Sequence, residues 1–290
     1  MPGCKADVGC ESAIGVFDSG VGGLTVLHEI RRLLPGENLI YLGDTARVPY
    51  GTKSSDTVRK YAVEAANFLV QQQVKMVVVA CNTASSVALE LLQHQLDVPV
   101  VGVIAPGAQC AVALTRSGIV GVIGTEGTVA SDAYPLALRA LNPAIKILSA
   151  SCPLFVPLAE EGWAEHEVAR LAACEYLAPL LDAHIDTLVL GCTHYPLLKP
   201  TLKQVLPASI QMVDSAQETA RTVQRLLVED GLLNLGACGN WQFFVTDVPQ
   251  RFERVGEAFL GTELTQVKRV ALSLCESGRG VTVGVGGVER

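Results

Sequence analysis

The chain lacks several features that each mark a particular class of protein. No run approaches the roughly 18 apolar residues of a membrane-spanning helix, and residues 1–12 contain no apolar segment of the kind found in secretory signals. Lysine and arginine form no runs, and the net charge is −7 with a pI near 5.3, which argues against nucleic acid as the main partner. These absences predict a cytoplasmic protein that makes no membrane contact.

The cysteines also lack a familiar arrangement. No C-x-x-C sequence occurs, so neither a zinc ribbon nor a thioredoxin-type motif is expected, and we predict no metal site. The nine cysteines are odd in number and irregularly spaced, at positions 4, 10, 81, 110, 152, 174, 192, 238 and 275. Without a secretory signal we interpret them as reduced thiols, most of them buried and inert.

What the sequence does contain is a repeated alternation of short apolar strands and amphipathic helices. With 290 residues, 49% of them hydrophobic, the chain is long enough for two domains or for one large α/β unit. Strands are predicted at 14–17, where Asp18 and Ser19 end the strand, at 38–45 and at 98–107, and helices at 24–34 and 56–73. The alternation is typical of an α/β fold with parallel sheets.

The stretch 77–85 (VVVACNTAS) is the most informative part of the chain. Three consecutive valines predict a strand buried on both faces, and Cys81 stands at its end. Asn82, Thr83 and Ser85 then supply N-cap side chains for a helix predicted over 85–96. Ligands bind beyond the carboxyl ends of such strands, and a helix N-terminus favours a thiolate. The position therefore favours a functional Cys81 with a pKa lowered towards neutrality.

A glycine-rich turn over residues 20–23 follows the first strand. Such a turn could hold a phosphate, but the dinucleotide-binding pattern G-x-G-x-x-G fails at Thr25. Glycines that permit a tight turn are the simpler interpretation, although this leaves the preceding Asp18 and Ser19 unexplained.

The strand ends of the first half repeat in the second half. The matching segments are 13–22 with 119–128, 38–45 with 145–152, and 76–87 with 187–198. The separations are 106 residues from Ser19 to Thr125, 107 from Thr45 to Cys152 and 111 from Cys81 to Cys192. Three matches in order at nearly constant spacing predict two homologous units related by a pseudo-two-fold axis.

The fold class we predict is therefore α/β, with two pseudo-symmetric doubly wound domains and the active site in the cleft between them. The first domain is predicted to be discontinuous, comprising residues 1–104 and 216–290, and the second to comprise 105–215. Residues 1–12 and 277–290 are expected to be a loose leader and a poorly ordered tail.

Two cysteines at equivalent strand ends suggest an acid and a base on opposite faces of one substrate. A thiolate removes a proton from one face and a thiol returns a proton to the other, which suits racemisation. For either cysteine alone, a buried core thiol is the more common explanation, but the matching context of Cys81 and Cys192 reverses that preference.

Other polar residues near these strand ends have both functional and structural explanations. His194 could assist Cys192 or be structural. Asp18 could orient a catalytic group, bind a substrate ammonium or cap a helix, and Glu160 and Glu161 could reach the cleft or form a solvated pair. We interpret the remaining histidines and cysteines as bystanders or structural residues: His28, His94, His166, His184, Cys110, Cys152, Cys174, Cys238 and Cys275.

At these residues the chain resembles the aspartate/glutamate racemase family, and within it the bacterial glutamate racemases. The matching blocks are 16–26 (VFDSGVGGLTV), 42–51 (LGDTARVPYG), 80–85 (ACNTAS), 123–128 (IGTEGT), 191–198 (GCTHYPLL) and 213–220 (VDSAQETA). Aspartate racemases usually place an acidic residue after the second cysteine, so the sequence of residues 192–196 (CTHYP) points to glutamate.

The resemblance implies a racemase without cofactor that supplies D-glutamate for peptidoglycan. It implies Cys81 and Cys192 as proton-transfer residues, with Asp18, His194 and Glu160 assisting. The residues implied to bind glutamate are Asp18, Ser19, Pro49, Tyr50, Gly51, Asn82, Thr83, Thr125, Thr128 and Thr193. No pyridoxal phosphate is expected, because no lysine stands at a strand end in a setting suited to a Schiff base.

Several alternatives remain open at this point. A racemase for another acidic or hydantoin-type substrate and a two-domain ligand-binding protein would share the bilobed shape. The sequence is compatible with a homodimer but does not predict one. Two properties of some relatives, activation by a peptidoglycan precursor and binding of a DNA topoisomerase, are neither supported nor excluded.

Overall fold

Strands and helices alternate along the chain in the computed structural model, which describes residues 9–264 and 266–272. The strands are β1 (Ile14–Asp18), β2 (Leu39–Gly43), β3 (Met76–Val79), β4 (Val100–Gly102), β5 (Ile119–Gly124), β6 (Lys146–Ser151), β7 (Thr187–Gly191), β8 (Gln211–Asp214), β9 (Trp241–Val245) and β10 (Lys268–Arg269). The helices are α1 (Leu24–Leu33), α2 (Ser55–Gln71), α3 (Asn82–Gln95), α4 (Ile104–Leu114), α5 (Glu126–Ala130), α6 (Ala133–Leu141), α7 (Phe155–Glu160), α8 (Glu167–Asp182), α9 (Lys199–Val205), α10 (Ser215–Glu229) and α11 (Pro249–Leu260).

The strands form two separate sheets in which the described pairings are parallel. The first sheet has the order β10-β9-β2-β1-β3-β4, and the second has the order β6-β5-β7-β8. Within the first sheet, the run β2-β1-β3-β4 has the same topology as the whole second sheet, so β1 corresponds to β5, β2 to β6 and β3 to β7. This correspondence confirms the predicted α/β fold of two pseudo-symmetric units.

Strand β3 shows why the valine run folds as it does. Met76 and Val78 face one apolar cluster, and Val77 and Val79 face another, all of them fully buried. Helices α2 and α3 cover the second of these faces, and α1, α10 and α11 contribute to the first. A parallel strand covered on both faces requires an apolar side chain at every position, which the sequence supplies.

The chain passes between the two units at α4 and α10. Helix α4 follows β4 of the first sheet but packs against α6 and β7, whereas α10 follows β8 of the second sheet and packs against α1. Strands β9 and β10 then join the first sheet. The described strands thus lie in the segments assigned to the two predicted domains, 1–104 plus 216–290 and 105–215, whose boundaries stay a prediction.

The strand predicted over 98–107 is shorter than expected. It ends at Gly102, and α4 begins at Ile104. Pro106 and Gly107 were predicted to belong to the strand, but they lie in the first turn of α4. A proline near a helix N-terminus removes no intrahelical hydrogen bond, so the helix tolerates it there.

The predicted loose leader does not extend over residues 9–12. The ammonium of Lys75 donates to the carbonyl oxygen of Cys10 at 2.6 Å, and the side-chain amide of Asn38 donates to that of Glu11 at 2.7 Å. Residues 1–8 and the tail at 277–290 lie outside the described residues. Among the described helices, none has both the length and the apolar character needed to cross a membrane.

Candidate active site

Cys81 and Cys192 occupy corresponding places in the two units. Cys81 lies two residues beyond the end of β3, and Cys192 directly follows β7. Both side chains are buried, with exposed fractions of 5% and 6%. Both line one pocket at the carboxyl ends of the two sheets. The fold therefore brings the two predicted thiols together.

Most of the residues predicted for the site line this pocket. They are Ser19, Pro49, Tyr50, Gly51, Cys81, Asn82, Thr83, Thr125, Cys192, Thr193 and His194. Val48 and Val156 also line it and were not predicted, because a single valine in a loop or short helix carries no chemical signal. Asp18, Thr128 and Glu160 lie behind the lining residues and not on the pocket surface.

Cys81 is itself the N-cap of α3. The helix begins at Asn82, three residues earlier than predicted, and the Cys81 sulfur accepts the N–H of Ala84 at 3.5 Å. The sulfur lies 3.9 Å from the hydroxyl oxygen of Ser19. Asn82, Thr83 and Ser85 are thus inside the helix, where the first N–H groups have no intrahelical acceptor.

The electrostatic setting of Cys81 differs from the prediction. Burial raises the pKa of this thiol, and negative charge on Asp18 and Cys192 raises it further, whereas the N–H of Ala84 and the hydroxyl of Ser19 lower it. Burial and like charge outweigh the helix terminus. The expectation of a pKa lowered towards neutrality is therefore wrong for Cys81.

Asp18 ends β1 beside this thiol and is only 1% exposed. Its Oδ2 accepts the N–H of Gly20 at 3.1 Å, and its Oδ1 accepts no hydrogen bond among the described residues. Helix α1 has Gly23 as its N-cap, without a side-chain bond, so Asp18 is not a helix cap. Burial raises the pKa of Asp18, although His194 and nearby backbone N–H groups oppose the shift.

The Cys192 side of the pocket contains a charged pair. Nδ1 of His194 lies 3.8 Å from the sulfur of Cys192, and Nε2 lies 3.2 Å from Oε1 of Glu160. Burial lowers the pKa of His194, but the hydrogen bonds to Cys192 and Glu160 and the charges of Cys192 and Asp18 raise it to about 10. The ring is therefore an imidazolium at neutral pH.

Glu160, the last residue of α7, reaches His194, whereas Glu161 stays exposed. Burial raises the pKa of Glu160, but His194 and Arg251 lower it by more, so the carboxylate is ionised. Arg251 of α11 donates to the second oxygen, Oε2, at 3.3 Å. Sequence reasoning missed Arg251 because it is remote in the chain from the motifs that mark the site.

Each of the two units donates a hydrogen bond to the segment that follows a strand of the other unit. Oγ1 of Thr25 in α1 donates to the carbonyl oxygen of Thr193 at 3.1 Å, and the hydroxyl of Tyr134 in α6 donates to Oδ1 of Asn82 at 2.8 Å. A Cβ on Gly22 would lie 2.2 Å from Oγ1 of Thr193, so only glycine permits this approach. Nδ2 of Asn82 then has no protein acceptor among the described residues.

The three predicted threonines form a hydroxyl cluster between the units. Oγ1 of Thr83 lies 2.9 Å from that of Thr125 and 3.2 Å from that of Thr128, and the last two are 3.1 Å apart. Gly51 packs against the cluster, since a Cβ there would lie 2.7 Å from Cβ of Thr125. Thr128 therefore supports the two lining threonines from behind.

The hydroxyl of Tyr50 is already bound within the protein. It donates to Oδ2 of Asp44, a fully buried carboxylate that also accepts hydrogen bonds from Thr246 and Arg47. Tyr50 therefore offers the pocket its ring and backbone, and Asp44 fixes the loop. The predicted role of Tyr50 in substrate binding would not involve its hydroxyl.

The other cysteines and histidines of the described chain do not line this pocket. Those predicted to be structural or bystanders are Cys110, Cys152, Cys174, Cys238, His28, His94, His166 and His184. Cys275 lies outside the described residues. Over residues 9–264 and 266–272, no group of three or more His, Cys, Asp or Glu side chains could hold a metal ion.

This geometry is suited to moving a proton at a carbon atom. Two thiols face one pocket, one beside a carboxylate and the other beside an imidazolium. Helix-start N–H groups and hydroxyls around them can bind carboxylates. The lining residues therefore supply both proton carriers and anion-binding groups.

Comparison with known proteins gives a consistent result. A sequence model described as "Asp/Glu/Hydantoin racemase" matches residues 14–223. The chain is 58% identical over 261 residues to the glutamate racemase of Geobacter metallireducens, an alignment that covers 90% of this chain and 97% of the relative.

Solved structures agree. The RacE1 isoform of glutamate racemase from Bacillus anthracis has a TM-score of 0.87 at 42% identity, covering 90% of this chain and 98% of the other. The Francisella tularensis glutamate racemase in complex with D-glutamate has a TM-score of 0.85 at 41% identity, with the same coverage. The resemblance stated from the sequence is confirmed, and the chain belongs to the Asp/Glu/hydantoin racemase family.

Proposed function

We propose that the protein is a glutamate racemase that interconverts L- and D-glutamate by proton transfer at Cα between two thiols, without a cofactor. The observation that carries the proposal is the placement of Cys81 and Cys192 at corresponding strand ends on one pocket. The relatives support glutamate as the substrate, because all three are called glutamate racemases and one of them is in complex with D-glutamate.

The proton transfer balances without any further reactant. The thiolate of one cysteine takes the α-proton, so the Cα–H bond breaks and its electron pair remains on the substrate as a carbanion delocalised into the carboxylate. The thiol of the other cysteine gives its proton to the opposite face of Cα, which forms the new C–H bond. The two sulfurs have then exchanged roles, so the enzyme is ready for the reverse reaction.

Substrate binding would use both unpaired groups and hydroxyls around the pocket. Nδ2 of Asn82 is an unpaired donor at the pocket, and the first N–H groups of α3 lie beside it. These donors suit a carboxylate of glutamate. Asp18 lies behind the pocket lining with Oδ1 unpaired, so its carboxylate would attract the ammonium group through charge and not through direct contact. Thr193 and the Thr83–Thr125 pair already have partners within the protein, and their hydroxyls would turn a donor towards the second carboxylate.

The difficult step is removal of a weakly acidic α-proton. The imidazolium of His194 lies beside Cys192 and would offer a positive charge to the carbanion and its carboxylate as they gain negative charge. Such a charge in a buried pocket stabilises the transition state more strongly than it would in water. His194 and its partner Glu160 would therefore assist on the Cys192 side, and Asp18 on the Cys81 side.

The product D-glutamate would serve peptidoglycan synthesis, which places the proposed activity in the cytoplasm.

Purified protein should racemise L- and D-glutamate in deuterated water and incorporate deuterium at Cα during inversion. Aspartate, assayed beside it, should react much more slowly. Cys81→Ala and Cys192→Ala should each lower racemisation by at least about 10³-fold, because each removes one proton carrier.

Cys152→Ala is the matched control for these two variants. Cys152 is also a buried thiol that follows a strand, but it does not line the pocket, so this variant should keep its activity. If either Cys81→Ala or Cys192→Ala racemises glutamate normally, the two-thiol mechanism is wrong.

A further inference from the structure

Arg251 lies outside the pocket, in the first turn of α11, yet it contacts a residue of the proton-transfer site. Its Nη2 donates to Oε2 of Glu160 at 3.3 Å and lies 4.0 Å from Oε1 of Glu161. Oε1 of Glu160 is bound to His194 at 3.2 Å. One carboxylate thus connects Arg251 with the imidazolium beside Cys192.

Glu160 needs a second partner because its own helix holds it weakly. It is the last residue of the six-residue helix α7, Gly162 follows shortly with a φ of +75°, and its side chain is 18% exposed. The terminal torsion of a glutamate side chain has a broad energy minimum. A single hydrogen bond therefore leaves the carboxylate free to rotate, whereas one bond to each oxygen fixes its plane.

The helix that carries Arg251 also contacts His194 directly. The ring of Phe259 packs edge-on against the His194 ring, with centroids 5.1 Å apart and planes at 81°. Arg251, Val255 and Phe259 are spaced four residues apart and so share one face of α11. This face supports the imidazole ring itself and, through Arg251, the carboxylate that orients it.

We propose that Arg251 is a positioning residue for the proton transfer, because it fixes the carboxylate of Glu160, which in turn holds the His194 ring against Cys192. This inference rests on the proposed racemisation, since it assigns Arg251 to the same site. Arg251 contacts neither thiol and acts through Glu160 alone.

The charge and the positioning effect of Arg251 act on His194 in opposite directions. The titratable groups that face His194 are Cys192, Asp18 and Glu160, with the Arg251 cation beyond Glu160. Loss of a nearby cation alone would raise the pKa of His194, because one repulsive charge disappears. Loss of a well-oriented Glu160 lowers that pKa, because the imidazolium loses its hydrogen-bonded partner. The direction of the shift therefore distinguishes the two effects.

The test compares Arg251→Gln with Arg251→Lys and with Arg254→Gln, which removes the same charge from an exposed position of the same helix. Arg251→Gln should lower kcat about threefold to tenfold, as expected for loss of an exposed charge-assisted bond, and leave KM within about twofold. It should also lower the pKa of His194, measured by NMR titration of histidine-labelled protein. Arg251→Lys should restore most of the loss, and Arg254→Gln should behave as wild type.

A double-mutant cycle tests whether Arg251 affects kcat through Glu160. In a Glu160→Gln background, Arg251→Gln should change kcat no further, because the carboxylate that it positions is absent. A further loss of kcat there, an unchanged kcat in Arg251→Gln alone, or a raised His194 pKa would each overturn the proposal. Failure of the wild-type protein to racemise glutamate would instead refute the proposed function, and the NMR titration would still report on positioning.

Discussion

The two sides of the cleft share a backbone plan but differ in their charges. Each side places a cysteine after the third strand of the same four-strand topology. On the first side, Cys81 caps α3 beside Ser19 and Asp18. On the second, Cys192 contacts His194. A duplicated fold thus fixes where the thiols lie, while residues adjacent to them in sequence or space set different electrostatic surroundings.

The two thiols therefore differ in the groups that lie beside them. Burial, followed by the charge of Asp18, raises the pKa of Cys81, so its proton is held firmly. His194 stands beside Cys192 as an imidazolium. The proposed proton transfer needs one thiol and one thiolate at a time, so the charges beside each sulfur matter separately.

The largest expected effect is that the two cysteine variants act on different enantiomers of glutamate. With one thiol removed, racemisation stops, but the remaining thiol can still exchange the α-proton on its own face. Cys81→Ala and Cys192→Ala should therefore each catalyse deuterium exchange of one enantiomer, and of opposite ones. The measurement is NMR of L- and D-glutamate in deuterated water. Exchange of the same enantiomer by both variants would contradict the opposed arrangement.

The second expected effect concerns the imidazolium on the Cys192 side. His194→Asn should lower kcat about 10²-fold, because the site loses both its proton-transfer assistant and a fixed charge. Thr83 stands at the position that corresponds to His194, so Thr83→Val is the matched control and should cost less than tenfold. Steady-state kinetics in both directions measures the difference. An equal loss in both variants would show that the asymmetry has no catalytic role.

The raised pKa of His194 predicts that the free energy of unfolding depends on pH. The pKa of His194 is raised from about 6.5 to about 10, so its contribution to stability is fully present below pH 6.5 and is lost as the pH rises through 10. Urea unfolding of wild type and His194→Asn should therefore converge between pH 7 and 10. A constant difference over this range would show that the ring does not ionise there.

Much of this site followed from local patterns in the sequence. The valine run predicted β3, and the repeat of strand ends predicted the correspondence of β3 with β7, because parallel strands bring their carboxyl ends to one edge. The start of α3 was wrong by three residues since cysteine is not among the usual N-cap residues, and the structure uses the Cys81 sulfur for that purpose.

What the sequence could not predict depends on contacts between distant segments. Tyr134, Arg251 and Phe259 reach the site from helices whose own patterns indicate only packing. The raised pKa of Cys81 depends first on burial, which no local motif reports. The helix N-terminus was visible in the sequence, but burial and Asp18 were the larger effects.

A fourth prediction concerns the charge beside Cys81. Asp18→Asn should lower the pKa of Cys81, because the Asp18 carboxylate raises it. The rate of iodoacetamide alkylation against pH, followed by mass spectrometry in a Cys192→Ser background, measures this shift. Removal of the exposed carboxylate of Asp56 in Asp56→Asn is the control and should leave the curve unchanged. An unshifted curve in Asp18→Asn would show that burial alone sets the pKa.

The smallest expected effects lie in the hydrogen bonds by which each unit supports the other. Tyr134→Phe leaves Oδ1 of Asn82 without its donor, and Thr25→Val does the same to the carbonyl of Thr193. An unpaired buried acceptor costs about 1 kcal/mol or more, so KM for glutamate should rise about fivefold in each. Tyr50→Phe removes a hydroxyl bound to Asp44 behind the pocket, so its KM should change less. If Tyr134→Phe and Thr25→Val raise KM equally, the two units support the substrate symmetrically, and the asymmetry of the cleft is confined to its charges.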